Sequence, residues 1–226
     1  MTIRNAPLEG ISPAPDAFGD PGSGDSGTDD PRSGEPGPDV APDRTEARLL
    51  EAAAGLVATR GTRGLSVTEL ARAAGVSRPT VYRRWESADD VLRALLAHRA
   101  QLVITAVGPR AADRATIVDK VVRFGELLRA DPVYGHLLTE EPEVFTRYAF
   151  ERIGRSQRVI LEWLAAAVAA AQQGGTVRAG SAPDMAVMVL LISQSAVLSH
   201  RTVTTVIDDA ALRAELARSL DGYLRP

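Results

Sequence analysis

The sequence of 226 residues contains no cysteine, three histidines and few aromatic residues, which make up 4% of the chain. The absence of cysteine excludes a disulfide scaffold, a thiolate site for zinc or an iron–sulfur cluster, and a cysteine nucleophile. His98, His136 and His200 lie far apart in the sequence, so a histidine-based metal enzyme is not expected. We therefore expect neither a metal nor a cofactor.

Long apolar runs are also lacking. The first ten residues show no basic segment followed by the apolar stretch of a signal peptide. The longest apolar run, residues 185–192, is followed by Ser193, Gln194 and Ser195. It is far shorter than the roughly 20 residues that a membrane-spanning helix needs. These features predict a cytoplasmic protein without a membrane partner.

The net charge of −3 conceals an uneven distribution along the chain. Residues 1–40 hold two arginines against eight acidic residues, together with seven glycines and seven prolines. Such a segment cannot bury enough apolar surface to offset the entropy of ordering, so we expect a disordered acidic tail. Residues 41–105 carry a net charge of +3, and residues 106–226 are neutral.

The positive charge is concentrated between residues 60 and 84, where six arginines accompany one acidic residue, Glu69. A basic segment of this density indicates a polyanionic partner such as nucleic acid. The alternative is a solvated face on an arginine-rich chain, since Lys120 is the only lysine.

Beyond residue 40 the pattern is helical almost throughout, and no clean period-two run predicts a strand. The predicted fold class is therefore all-α. Residues 43–60 place apolar side chains at helical spacing. Ser66 and Glu69 form a capping box that opens a second helix, while Ser77 and Ser87 can cap the next two.

A helix over residues 67–74, a turn at 75–77 and a helix over 78–84 predict a helix-turn-helix. Gly75 can take the left-handed conformation that redirects the chain, and Ala71 is small where the second helix passes over the first. The apolar side chains expected between the two helices are Val67, Leu70, Val76 and Val81.

The second of these helices turns polar side chains outward. Hydrogen-bonding and cationic groups in this arrangement suit the base edges and phosphates of a DNA major groove. The outward residues are Arg78, Thr80, Tyr82 and Arg83.

The segment from Leu65 to Trp85, LSVTELARAAGVSRPTVYRRW, resembles the second and third helices of the TetR/AcrR family of transcriptional regulators. Residues 49–61 resemble the first helix of that family, and the resemblance extends over about residues 43–100. The motif is specific because several positions must fit together: Ala71, Gly75, Val76, Ser77, Tyr82 and the aromatic residue at position 85.

The resemblance implies a DNA-binding head, and two positions depart from the family pattern. Trp85 stands where phenylalanine is usual and is expected to fill the small core. Ala88 stands where a lysine often meets phosphate, a contact for which Arg44 or Arg84 could substitute. The expected DNA contacts are Arg44, Thr68, Ser77, Arg78, Thr80, Tyr82, Arg83 and Arg84.

Residues 106–226 predict further helices, over residues 111–130, 133–138, 142–173, 183–205 and 208–224, punctuated by prolines and glycines. The segment 185–198 is apolar on nearly every side, so we expect a second surface to cover the face that its own domain leaves open. The family resemblance implies a four-helix dimer interface formed by the last two helices; packing inside a larger monomeric domain is the alternative. The candidate interface residues are Val189, Ile192, Leu212, Leu216, Leu220 and Tyr223.

The resemblance also implies a small-molecule pocket among the middle helices, without indicating its ligand. Helical spacing alone would produce a similar set of apolar residues in an ordinary core. The candidate pocket residues are Phe124, Tyr134, His136, Phe145, Tyr148, Trp163, Met185, Met188 and Gln194.

These observations predict three parts: a disordered tail over residues 1–40, a DNA-binding head over 41–105 and a helical regulatory body over 106–226. The expected function is that of a homodimeric repressor, bound to a near-palindromic site on double-stranded DNA and released by a small molecule. The alternatives are a ligand-independent regulator or activator, and an adaptor with a vestigial head. An enzyme is not expected, because no nucleophile–base spacing or phosphate-binding glycine loop is present.

Overall fold

The computed structural model describes residues 44–108, 111–150 and 153–226, apart from the side chain of Phe150. Within these ranges the chain forms ten α-helices, a short 3₁₀ turn at Thr62–Gly64 and no strand, which confirms the all-α prediction. The predicted disorder of residues 1–40 lies outside the described residues. The helices are α1 (Arg44–Arg60), α2 (Val67–Ala74), α3 (Arg78–Tyr82), α4 (Ala88–Val107), α5 (Arg114–Ala130), α6 (Pro132–Glu140), α7 (Pro142–Phe150), α8 (Arg155–Gln173), α9 (Ala182–Val203) and α10 (Asp209–Leu224).

Side-chain caps fix where several of these helices begin. Ser87 accepts a hydrogen bond from the backbone N–H of Asp90 at the start of α4. Asp113 and Asp208 cap α5 and α10 in the same way. Each such cap contributes about 1 kcal/mol by satisfying a backbone N–H that has no partner within the helix.

Helices α1 to α3 pack around a small apolar core of their own. Leu49, Val57, Leu70 and Val81 are completely buried there, and Trp85 is buried beside them. Trp85 therefore fills the core as predicted, and the face of α3 opposite Val81 is left to solvent.

Helix α4 connects these three helices to the rest of the protein. It packs against α1 and also against α5, α6 and α8. Its buried side chains run from Val91 near its beginning to Val107 at its end. The predicted boundary between residues 105 and 106 falls inside this helix and stays a prediction.

The expectation of one helix over residues 142–173 is wrong. Two helices, α7 and α8, occupy this stretch, and α8 begins after Gly154. Gly154 is the N-cap of α8 with an extended backbone (ψ −178°), which interrupts helical geometry. Likewise α3 ends at Tyr82, two residues earlier than predicted, because Arg83 and Arg84 form a turn.

Helix α9 is 22 residues long and apolar enough to cross a membrane by length and composition alone. It packs instead against α8, α5 and α10, with Met185, Ala186 and Val189 buried on that side. On its other side Val187, Met188 and Leu191 are exposed.

Candidate DNA-binding surface and effector cavity

The turn between α2 and α3 depends on Gly75, whose backbone is left-handed (φ 63°, ψ 39°). Residues with a Cβ rarely adopt this conformation, so glycine at this position gives the helices their crossing. The backbone N–H of Val76 donates to the carbonyl of Ala71 at 3.0 Å, which closes the turn. The predicted helix-turn-helix is therefore present, with Val67 and Val76 half-buried against its core.

The outer face of α3 carries the polar side chains that the sequence predicts. Arg78 and Arg83 are exposed, and Tyr82 exposes 56% of its surface. Ser77 precedes the helix as its N-cap, but its hydroxyl bonds to that of Thr80 at 2.9 Å instead of to a backbone N–H. This pair presents two hydroxyl groups beside Arg78, a combination suited to phosphate or base contacts.

The remaining predicted DNA contacts also lie outside the core. Arg44 and Thr68 are exposed, and Arg84 is half-buried. Their contact with DNA stays a prediction.

Glu69 neutralises part of the local positive charge. Ser66 caps α2 by accepting from the N–H of Glu69 at 3.1 Å, as expected. The Glu69 carboxylate, however, lies 3.3 Å from Arg60 and 2.5 Å from Arg72 rather than reaching back to Ser66. The hydrogen bond from Arg72 lowers the pKa of Glu69, which therefore stays ionised. Two arginines of the basic segment are thus paired within the protein, whereas Arg78 and Arg83 face solvent.

A small cavity of about 70 Å³ lies among helices α4 to α9. Six of the nine residues predicted for a ligand pocket line it: Phe124, Tyr134, Phe145, Tyr148, Trp163 and Gln194. The rings of Phe124 and Trp163 are 5.6 Å apart, and those of Tyr134 and Phe145 meet edge-on at 6.1 Å. These aromatic pairs form a wall that is almost entirely apolar.

Most polar atoms in this wall are bonded to the protein itself. The Tyr134 hydroxyl donates to the carbonyl of Leu96 at 2.8 Å, and the Gln157 amide donates to the carbonyl of Ala149 at 2.7 Å. Ser193 donates to Val189 within its own helix. The side chain of Gln194 makes no hydrogen bond within the described parts of the chain and is therefore available to a ligand.

Three predicted pocket residues lie away from the cavity, which corrects their assignment. His136 faces Glu141, with 3.4 Å between Nε2 and Oε1. Met185 is buried against Gln172, and Met188 points to solvent from the opposite side of α9. Wall residues that the sequence analysis missed include Leu96, Ser156 and Gln157. Gly154, which starts α8 next to Ser156, is the sequence signal that could have located the last two.

The assignment of two residues to the dimer interface is also corrected. Val189 and Leu220 are fully buried within the protomer, so they cannot contact a second copy. Four others are half-buried, and all of them except Leu212 pack against the core: Ile192, Leu212, Leu216 and Tyr223. The exposed apolar residues of α9 are instead Val187, Met188 and Leu191.

Comparison with known proteins agrees with the helix-turn-helix geometry. The family model for bacterial regulatory proteins of the TetR family matches residues 49–95. An HTH-type transcriptional regulator of Mycobacterium tuberculosis (strain H37Rv) is 40% identical over 180 residues, which are 80% of this chain and 94% of that protein. The chain belongs to the TetR family of transcriptional regulators. The resemblance that the sequence predicts is thereby confirmed.

Solved TetR-like structures share the fold. The transcriptional repressor QsdR of R. erythropolis superposes with a TM-score of 0.61 at 20% identity, covering 81% of this chain and 97% of that one. FadR of Bacillus subtilis, solved in complex with stearoyl-CoA, superposes with a TM-score of 0.55 at 16% identity, covering 79% and 99%. These similarities extend the TetR fold from the head through the helical body.

In this TetR-family chain, polar side chains of α7 and of the residues that flank α6 form hydrogen bonds with both the head and α4. Glu141, between the two helices, accepts from the backbone N–H of Thr62 at 2.8 Å and from the Thr62 hydroxyl. Asp131, which caps α6, accepts from Arg99 Nε of α4 at 2.8 Å. The Tyr148 hydroxyl of α7 donates to Asp89 in the first turn of α4.

Burial and the nearby Asp89 carboxylate raise the pKa of Tyr148 to about 12. Tyr148 is therefore protonated at neutral pH and remains a hydrogen-bond donor. Because Tyr134, Phe145 and Tyr148 also line the cavity, two of the helices that surround it, α6 and α7, are also attached to the head and to α4.

Proposed function

We propose that this TetR-family regulator is a sequence-specific repressor that a small molecule releases from DNA. The observation that carries the proposal is the double role of α6 and α7. Their side chains line the cavity, and their polar groups bind Thr62 of the head and Asp89 of α4. A molecule that changes the cavity wall must therefore also affect the attachment of the head.

The outer face of α3 supports the DNA-binding part of the proposal. Arg78 and Tyr82 are exposed on a short helix that the turn at Gly75 holds against α2, and Arg83 is exposed directly after it. Arginine can bind the N7 and O6 atoms of guanine with two hydrogen bonds, and tyrosine can donate to phosphate. We assign base reading to Arg78 and backbone contacts to Tyr82 and to Arg83 in the turn that follows α3.

We further propose that the regulator acts as a homodimer in the cytoplasm. Met188 and Leu191 expose 42% and 48% of their surfaces on α9, with Val187 beside them. An apolar helix face of this kind is stabilised when a partner covers it. A two-fold dimer places two heads on successive major grooves, about 34–36 Å apart, and matches a near-palindromic site.

The size of the cavity indicates how an effector would act. Pockets for small molecules typically enclose roughly 300–1,000 Å³, whereas the free space here is about 70 Å³. An effector must therefore move wall residues apart, and Phe145 and Tyr148 belong to α7. Release from DNA requires that the effector bind the rearranged state more tightly than the DNA-bound state.

An apolar effector fits the composition of the wall, and FadR, one of the structural neighbours, was solved with stearoyl-CoA bound. The small volume favours a second candidate, a regulator of the same fold that responds to no ligand. The two candidates differ in whether any small molecule lowers the affinity for DNA.

The first experiment is nuclease footprinting of the full chain on DNA flanking its own gene. Protection of one inverted repeat by the wild-type protein, and its loss in Arg78→Ala, would support the assignment of α3. Compounds are then screened for release of that fragment, with Tyr148→Phe as the coupling variant. We expect Tyr148→Phe to bind DNA but to need more ligand for release or to resist it. No protected site on this DNA would contradict control of its own gene, and release by no compound would favour the ligand-independent candidate.

A further inference from the structure

A groove of about 830 Å³ adjoins the cavity on the side where α7 ends and α8 begins. Leu96, Tyr148 and Ser156 line both spaces, so the groove and the cavity share a boundary. Among the described parts of the chain, Asp89 is the one acidic residue that lines the groove. Four arginines line it: Arg93, Arg147, Arg155 and Arg158.

The four arginines are not equally engaged with the protein. Arg93 is paired with Asp89 and with Asp90, the latter at 2.8 Å. The Arg147 guanidinium lies over the Tyr148 ring at 5.4 Å from its centre. Arg155 and Arg158 are exposed, and neither has a carboxylate within 4.0 Å in the described ranges. Among the described residues that line the groove, the positive charge therefore exceeds the negative charge.

Several other arginines of the helical body are paired with acidic side chains, whereas Arg123, Arg178 and Arg201 have no acidic partner among the described residues. Arg114 lies 2.7 Å from Asp221, and Arg213 lies 2.6 Å from Glu126. A solvated face of an arginine-rich protein would show unpaired arginines without regard to any cavity. Here three of them, Arg147, Arg155 and Arg158, line the groove that adjoins the apolar cavity.

We infer that the effector is an amphipathic anion. Its apolar part occupies the cavity beside Phe124 and Trp163, and its carboxylate, sulfonate or phosphate lies in the groove against Arg147, Arg155 and Arg158. Arginine suits such groups because its planar guanidinium can donate two parallel hydrogen bonds to one anion. This inference rests on the proposed function, since it names the chemical class of effector for the same cavity.

The position of Arg93 connects such an anion to the head. Asp89 and Asp90, which bind Arg93, form the first turn of α4 after the Ser87 cap. An anion in the groove competes with these carboxylates for Arg93. It also lies next to the hydrogen bond from Tyr148 to Asp89.

The test uses two fluorescent probes with the same apolar body, 1-anilinonaphthalene-8-sulfonate and its uncharged counterpart N-phenyl-1-naphthylamine. Both are titrated into the full-length protein carrying Trp85→Phe, which leaves Trp163 in the cavity wall as the single tryptophan. Quenching of Trp163 emission reports entry into the cavity, and probe emission gives the dissociation constant. We expect the sulfonate to bind at least about tenfold more tightly than the neutral probe, as charge-assisted hydrogen bonds predict.

The variant that tests the groove is Arg147→Gln combined with Arg158→Gln. The matched control is Arg123→Gln combined with Arg218→Gln, which removes the same charge from exposed positions on α5 and α10. We expect the groove variant to weaken sulfonate binding about tenfold without affecting the neutral probe, and the control to change neither.

Two outcomes would overturn the inference, and they differ in their meaning for the proposed function. If both probes quench Trp163 with equal affinity and the groove variant has no effect, the anion preference is wrong while the effector cavity stands. If neither probe quenches Trp163, the inference fails together with the ligand-released part of the proposed function. The DNA-binding part is tested separately by footprinting.

Discussion

Glu141, between α6 and α7, binds Thr62, which directly follows the glycine that ends α1. The Thr62 backbone N–H donates to Glu141 Oε1 at 2.8 Å, and its hydroxyl donates to the other carboxylate oxygen. The two residues are 79 positions apart in the sequence. This contact joins the helices that line the apolar cavity to the DNA-binding head of a TetR-family regulator.

Glu141→Gln should weaken this attachment. Burial raises the pKa of Glu141, but the two hydrogen bonds from Thr62 and the nearby His136 outweigh it, so the pKa lies below its usual value of 4.5. We expect the variant to lose about 1–2 kcal/mol of unfolding free energy at pH 7, since hydrogen bonds to charged groups contribute about 1.5–3 kcal/mol. Chemical denaturation measures this loss.

The pH dependence follows from the sign of that shift. A group whose pKa is lowered by folding contributes its stability above its unfolded pKa and loses it as the pH falls through the folded value. The difference between wild type and Glu141→Gln should therefore shrink below about pH 4.5. The control is Glu140→Gln at the exposed neighbouring position. An equal loss in both variants, or a loss independent of pH, would contradict the role given to Glu141.

Gly61→Ala should be strongly destabilising. Gly61 has a φ of 68° and a ψ of −174°, and a Cβ there would lie 1.9 Å from Glu141 Oε1. That backbone region is almost exclusive to glycine and costs another residue about 1–3 kcal/mol before the clash is counted. Thermal unfolding should show a lowered Tm.

Gly55→Ala is the matched control for this substitution. Gly55 lies within α1, and a Cβ at that position would meet nothing within 4 Å. Alanine should stabilise the helix there by about 0.5–1 kcal/mol. Equal effects of the two substitutions would be inconsistent with the tight contact between Gly61 and Glu141.

The double variant Arg78→Ala, Tyr82→Phe should lose specific DNA binding and keep its fold. Both side chains are exposed on α3, so we expect the Tm and the helicity to stay close to wild type. A lost arginine–guanine contact costs about 1–3 kcal/mol of discrimination. Fluorescence anisotropy with labelled operator DNA measures the loss, and Arg218→Ala on α10 is the control. An unchanged affinity for the operator DNA would contradict the assignment of α3 as the helix that contacts DNA.

Met188→Glu together with Leu191→Glu should convert the proposed dimer to a monomer. Both side chains are exposed on α9, so the charges are tolerated in the single chain and would repel each other across the proposed two-fold interface. Sedimentation velocity measures the change in mass, and Val206→Glu, at an 83% exposed position beyond α9, is the control. A dimer unaffected by both charges would place the interface elsewhere.

Local signals in the sequence were sufficient to predict the head. Gly75, Ser87 and Trp85 act through a backbone conformation, a cap and a core position that follow from the residue type itself, and the structure has all three as predicted. The outward face of α3 followed from the burial of Val81. Periodicity was sufficient there because the helices are short and each has one buried side.

The body was less predictable, because helical spacing does not identify which neighbour a face meets. Met188 and Val189 are adjacent on α9, yet the first is exposed and the second is buried. Contacts such as Glu141 with Thr62 join distant parts of the chain and leave no local signal. The cavity wall was predicted where aromatic residues marked it and missed where Leu96 and Ser156 formed it.

The most direct test of the central claim compares the affinity of the full chain for an inverted repeat flanking its own gene with that for a scrambled duplex, at 0.15 M salt. We predict a dissociation constant of about 10⁻⁸ M or below for the repeat and a preference of at least about 10³ over the scrambled DNA. Non-specific binding alone would give about 10⁻⁴–10⁻⁶ M on both. Equal affinities for the two duplexes would contradict sequence-specific recognition of this DNA by the helix that carries Arg78 and Tyr82.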